Sequence, residues 1–210
     1  MRYCASTSKE RRSKMKILID NGHGSNTPGK CSPDKSLREY KWAREIAARI
    51  EAALKAKGYD AQRIVTEERD ISLAERCRRV NAVCNRYGAK NVILVSVHNN
   101  AAGSGGWHNA TGWSGWVYTG ASESSRRLAQ LLYAEAERKG LRGNRSVPAC
   151  KYWTANFYIL KNTACPAVLT ENLFQDNRQE VAYLLSEEGK ATLTQLHIDG
   201  IVKYIKSRTV

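Results

Sequence analysis

Histidine and carboxylate side chains follow three apolar runs of this chain. KILID at 16–20 leads into Asn21-Gly22-His23-Gly24, NVILVSV at 91–97 into His98-Asn99-Asn100, and AVLT at 167–170 into Glu171-Asn172. Short apolar runs bounded by turn or polar residues read as buried strands, so two of the four histidines and one carboxylate stand at strand ends. Glu39, at the start of the first helical pattern, offers a second carboxylate. Two histidines and a carboxylate form a common catalytic zinc set that keeps a fourth position for water, and zinc lowers the pKa of that water from about 15.7 to about 7. A carboxylate free of the metal can take a proton from water and hand it to a leaving nitrogen. Glu171 suits that work if it faces the metal.

Each residue also has a structural reading. A histidine ending a strand is more often a hydrogen-bonded polar group than a ligand. Ser36-x-x-Glu39 has the form of a capping box, which would account for Glu39 without a metal. Glu171 could pair with one of 34 basic residues. Taken singly these readings prevail; jointly they weaken, because both histidines follow the two best strand runs.

The elements that must position these residues alternate. Strand patterns fall at 16–20, 59–65, 91–97, 116–119, 157–160 and 167–170; helical spacing falls at 36–54, 71–87, 122–139, 181–185 and 191–205. This order implies an α/β fold, a three-layer domain with a mostly parallel twisted sheet flanked by helices. Ligands in such sheets collect beyond the carboxyl ends of the strands, where the histidines are expected. One domain over 16–210 is expected, preceded by a basic, disordered extension at 1–15.

Charge narrows the partners. The chain carries a net +14 with a pI near 9.7, and residues 1–16 alone hold net +5 with little apolar content. An excess of this sign suits nucleic acid, an anionic membrane or an anionic polymer such as cell wall. No nucleic-acid motif, secretory apolar run or membrane-length apolar stretch is visible. The expectation is therefore no nucleic acid, no membrane insertion, synthesis in the cytoplasm without a recognisable signal peptide, and a monomer. The six cysteines form no C-x-x-C pair, so a cysteine zinc site is not expected and the thiols read as reduced and mostly buried.

The ordered motifs resemble one family. Asp20-Asn21-Gly22-His23-Gly24 is similar to the D-x-G-H-G segment of zinc-dependent N-acetylmuramoyl-L-alanine amidases of the amidase-3 type. Arg69-Asp70 with Leu73, Arg76 and Asn81-Ala82 resembles the family's R-D-x-x-L-x-x-R…A-N stretch, 96–101 resembles its S-[IV]-H-x-N-A, and 166–172 its strand ending in T-E or V-E. Ser25 stands where a second glycine is often found. The resemblance covers about 16–210. It implies one Zn2+ held by His23, Glu39 and His98, with Glu171 as catalytic acid/base. It also implies cleavage of the amide between N-acetylmuramic acid and L-alanine in peptidoglycan, as in cell-wall lysis or remodelling, in the manner of a phage or prophage lysin acting on the cell wall.

Trp107, Trp113 and Trp116 lie in a Gly/Trp-rich stretch soon after His98. Exposed aromatic rings can stack on sugars, so these three and Asn100 are the expected substrate contacts; packing of the loop onto the body is the structural alternative. His197, in the last helical pattern, reads as structural. The rival functions are a non-catalytic cell-wall-binding module of the same fold and a zinc carboxypeptidase-like peptidase. On the cell-wall reading, the charge helps hold the enzyme on an anionic polymer, so salt should weaken wall binding more than cleavage of a small soluble muropeptide.

Overall fold

The computed structural model describes residues 15–208. Six strands form one sheet in the order β2-β1-β3-β6-β4-β5: β1 (Lys16–Asn21), β2 (Asp60–Arg63), β3 (Val92–Asn100), β4 (Ser114–Val117), β5 (Trp153–Thr154) and β6 (Ala167–Phe174). Strands β2, β1, β3 and β6 pair in parallel, β4 runs antiparallel to β6, and β5 pairs parallel to β4. The helices are α1 (Glu39–Ala56), α2 (Leu73–Tyr87), α3 (Glu123–Arg138), α4 (Tyr158–Lys161), α5 (Arg178–Leu185) and α6 (Glu187–Ser207).

Side-chain alternation along the strands divides the core. Ile17, Ile19, Ile93, Val95 and Val168 pack with Ile46 and Ile50 of α1, Leu128 and Leu132 of α3, and Leu196 and Ile201 of α6. The intervening Leu18, Leu94 and Leu169 face the opposite side, toward Cys77, Val80 and Cys84 of α2 and Ile159 and Leu160 of α4. Two helical layers therefore enclose a mostly parallel sheet, the three-layer α/β arrangement the element order implied. No helix among the described residues is long and apolar enough to cross a membrane.

Several local readings change. Residues 157–160 are not a strand: the amides of Leu160 and Lys161 both donate to the Phe157 carbonyl at 3.0 Å, which opens α4. An apolar run of four has no period long enough to separate helix from strand. The Ser36–Glu39 capping box does not form. Ser36 Oγ donates instead to Asp34 Oδ1 at 2.8 Å, and extended Arg38, without a side-chain cap, precedes α1. The edge strand β5 was not anticipated, and β4 begins two residues earlier than expected. Met15 is buried in the core; the rest of the expected extension at 1–15 lies outside the described residues.

Candidate metal centre

Strand register brings the polar ends together. His98 lies opposite Glu171 in the β3–β6 pairing, Asp20 opposite Ser96 in β1–β3, and Ser114 opposite Glu171 in β4–β6. Paired residues share a sheet face, so all five occupy the α2 side of the sheet toward the carboxyl ends of the parallel strands.

His23 follows β1 on a tight turn. Its φ is 60°, a left-handed conformation that costs a non-glycine residue roughly 1–2 kcal/mol. The turn closes through the Gly22 amide, which donates to the Val97 carbonyl at 3.0 Å. Neither flanking glycine could carry a side chain: a Cβ on Gly22 would fall 2.2 Å from Cε1 of His98, and one on Gly24 would fall 1.9 Å from the Asp70 amide nitrogen.

Arg76, 2% exposed, ties this turn to α2. Its Nη1 donates to Asp20 Oδ1 at 2.6 Å and to the Asn21 carbonyl at 2.7 Å. Nη2 donates to the His23 carbonyl at 3.1 Å and Asp70 Oδ1 at 2.9 Å, and Nε to the Ile71 carbonyl at 2.7 Å. All five guanidinium N–H donors are thereby used. Asp20 Oδ2 accepts from Ser96 Oγ at 2.6 Å, which makes the cluster continuous with β3.

Glu39 enters from the first turn of α1, 1% exposed. Its amide donates to the Lys30 carbonyl at 3.0 Å. Its Oε1 lies 3.0 Å from His98 Nδ1 and 3.3 Å from His23 Nε2, and accepts from the Asn99 amide at 3.1 Å. The two imidazole rings meet edge to face with centroids 5.0 Å apart. One donor atom from each of His23, Glu39 and His98 lies within 4.8 Å of the others. Zinc bonds of about 2.0–2.1 Å in a tetrahedron separate ligand atoms by roughly 3.3 Å, so the spacings from Glu39 match the edges of such a site. Burial pushes the Glu39 carboxyl up, but hydrogen bonds from His23 and His98 outweigh it and hold the group below the usual carboxylate range. Metal binding requires this ionised form.

Glu171 completes the group. Its Oε2 is buried with no hydrogen-bond partner among the described residues. Burial, with the Glu39 charge adding to it, pushes its pKa up to about 7 against the pull of His98, Lys30 and Arg145. A cleft of about 340 Å³ opens onto His23, His98 and Glu171, lined also by Lys30, Leu73 and Tyr158; the last two are 50% and 47% exposed. The nitrogen-nitrogen-carboxylate donor set and the orphaned oxygen beside it fit a zinc ion.

The expected sugar contacts separate. Trp116 shares the Glu171 face, its Nε1 donating to Ser114 Oγ at 3.0 Å and its ring 5.6 Å from that of Phe157. Trp113 is a correction: 1% exposed, it belongs to the core on the α1 side and donates Nε1 to Asn172 Oδ1 at 2.8 Å, leaving no ring face for a sugar. Trp107 also packs against the α1-side core, with Arg178 4.5 Å over its ring. Asn100 Oδ1 accepts from the amide of the next residue, Ala101, at 2.9 Å. Sequence reasoning passed over Lys30, Tyr158 and Arg145; their approach to Glu171 arises from tertiary packing and leaves no local pattern.

Residues 17–203 match the amidase-3 family, described as N-acetylmuramoyl-L-alanine amidase. The chain is 28% identical over 199 residues to the endolysin of Bacillus phage SPP1, covering 90% of this chain and 65% of that protein. It is 26% identical over 191 residues to the N-acetylmuramoyl-L-alanine amidase CwlM of Bacillus licheniformis, covering 90% and 68%. It thus spans about two thirds of the length of these curated relatives. The crystal structure of N-acetylmuramoyl-L-alanine amidase from Clostridium difficile 630 superposes with a TM-score of 0.77 at 26% identity, over 94% of this chain and 99% of that one.

Proposed function

The chain belongs to the N-acetylmuramoyl-L-alanine amidase family, and on that premise we propose that it is a zinc-dependent peptidoglycan hydrolase. The bond cut is the amide between the lactyl group of N-acetylmuramic acid and L-alanine, and residues 16–210 act as one catalytic domain. The observation that carries this reading is the convergence of His23, Glu39 and His98 beside a carboxylate oxygen that has no partner.

His23, Glu39 and His98 would hold the zinc. When bound, the ion polarises a carbonyl and makes water a nucleophile at neutral pH. Glu171 then accepts the proton of the attacking water on Oε2 and returns it to the leaving alanine nitrogen. Burial raises the Glu171 pKa above the usual carboxylate range, a direction that suits a group that must both take and give a proton. Arg76 holds the turn that aims His23, and Asn99 donates its amide to Glu39 so that the carboxylate keeps its orientation.

Trp116 lies on the Glu171 face and offers an aromatic surface beside the cleft. The acting form is a monomer on the cell wall, with the basic surface attracted to the anionic polymer. The relative named as a phage endolysin favours a role in lysis.

Purified cell wall digested with and without a chelator tests the proposal. The expected products are stem peptides with new L-alanine amino termini, lost on chelation and restored by zinc. Release of free amino acids with the muramic amide intact would identify a peptidase instead. Wall binding without any release would identify a non-catalytic module.

A further inference from the structure

Two cations flank Glu171, and neither has a carboxylate partner among the described residues. Lys30 lines the cleft from the β1 side together with His23, His98 and Glu171. Its carbonyl accepts the Glu39 amide, so its backbone is registered to the metal-donor set. Arg145 stands on the β4 side, in the segment between α3 and β5. Its guanidinium carbon lies 5.3 Å over the Trp153 ring and 5.5 Å over the Phe174 ring. The one hydrogen bond it makes among the described residues is a long one, Nη1 to Ser114 Oγ at 3.4 Å, and Ser114 faces Glu171 across the β4–β6 pairing.

The contrast with other arginines is informative. Arg76 uses all five donors on Asp20, Asp70 and three carbonyls. Arg79 uses Glu67, Glu75 and the Ile64 carbonyl. Arg145 is also partly buried, yet most of its donors are unspent. Its plane is held by two aromatic rings, which fixes orientation without consuming N–H groups. A planar guanidinium so held is suited to bidentate binding of a carboxylate. Glu171 does not supply that carboxylate: among the described residues the guanidinium bonds to Ser114 and not to Glu171, whose Oε2 is unpartnered.

We propose that Arg145 binds a free carboxylate on the peptide half of the substrate, close to the scissile amide, so that the enzyme prefers acidic stem peptides to amidated ones. Lys30 adds a favourable field from the opposite wall. The inference rests on the amidase reading and names what that site selects. An anionic peptide group brought beside an ionised Glu171 would otherwise meet a like charge. The two cations already offset the Glu171 charge, and they supply the compensation that a substrate carboxylate needs.

The test uses the full chain loaded with zinc and two soluble muropeptides that differ only at the second stem residue, D-glutamate in one and D-isoglutamine in the other. The expected KM is about tenfold lower for the free carboxylate, the effect of one charge-assisted hydrogen bond, with kcat nearly equal. Arg145→Met should collapse this ratio, Arg145→Lys should retain part of it, and Lys30→Met should reduce it less than Arg145→Met. Unfolding curves verify that each variant is folded. Equal KM values for the two muropeptides, or an unchanged ratio in folded Arg145→Met, would overturn the proposal. Calorimetric binding of the two free stem peptides gives the same comparison without turnover. If the wild-type chain cuts neither muropeptide, the amidase reading falls, while the calorimetric preference still decides the role of Arg145.

Discussion

The central sheet carries a buried histidine against one face and a half-buried one against the other, and the two are treated in opposite ways. His197 of α6 is fully buried on the α1 side. Its Nδ1 donates to the Leu193 carbonyl at 2.7 Å and its Nε2 accepts from Thr170 Oγ1 at 3.0 Å. Burial pushes its pKa down to about 4, so the ring is neutral and both nitrogens are engaged. His98 lies on the other face, where burial also opposes charge but Glu39 contact raises its pKa. Thr170 and Glu171 are neighbours in β6, and one step of strand alternation separates the two environments.

The difference teaches how the site is supported. Asn172, on the His197 side, donates Nδ2 to the His98 carbonyl at 2.9 Å and accepts Trp113 Nε1 through Oδ1. The satisfied polar group beneath the sheet thus fixes the strand whose opposite face carries the unsatisfied one. Buried polar groups are normally paired, and here the unpartnered oxygen of Glu171 stands beside three candidate ligands.

If this division is right, the largest effect belongs to Glu171. Glu171→Gln removes the proton acceptor but keeps shape, and should lower muropeptide release by about a thousandfold or more while zinc content stays at the wild-type value. Activity within tenfold of wild type would break the contrast at its active end.

Arg76 comes next. Arg76→Met leaves the buried Asp20 carboxylate without its cation, which typically costs about 3–5 kcal/mol, read in urea unfolding. Zinc affinity should fall as well, because the His23 turn loses its tether; unchanged stability and affinity together would show that the cluster does not position the turn.

His197 gives a smaller, pH-dependent effect. Its folded pKa of about 4 lies below the usual histidine value of 6.5, so the unfolded chain binds the proton more readily. The stability contributed by the neutral ring is complete above pH 6.5 and is lost progressively as pH falls toward 4, about 3 kcal/mol in all. A substitution such as His197→Gln should flatten this part of the pH–stability curve; an equally steep loss in the variant would place the titration elsewhere.

The strand ends were legible because KILID, NVILVSV and AVLT have the period-free apolar character of strands buried on both faces. Glu39 was legible as a first-turn carboxylate, but its competing role as a capping partner was resolved only by Asp34 taking the Ser36 hydroxyl. Trp113 and Trp116 show what residue type cannot convey: both are tryptophans of one stretch, yet Trp116 faces Glu171 and Trp113 is enclosed in the opposite core. The Arg76–Asp20 pair joins residues 56 positions apart, beyond any local period. Part of the basic complement is ordinary surface pairing, as in Arg49 with Glu45 and Glu187, which contributes little to stability.

The most direct test of the central claim is the zinc content of the purified full chain after zinc loading and desalting, with His23→Ala as its control. The account predicts one zinc per wild-type chain and near-complete loss in a His23→Ala protein that is still folded. A wild-type chain that retains no zinc, or a His23→Ala chain that retains it fully, would contradict the assignment of His23, Glu39 and His98 as the metal centre.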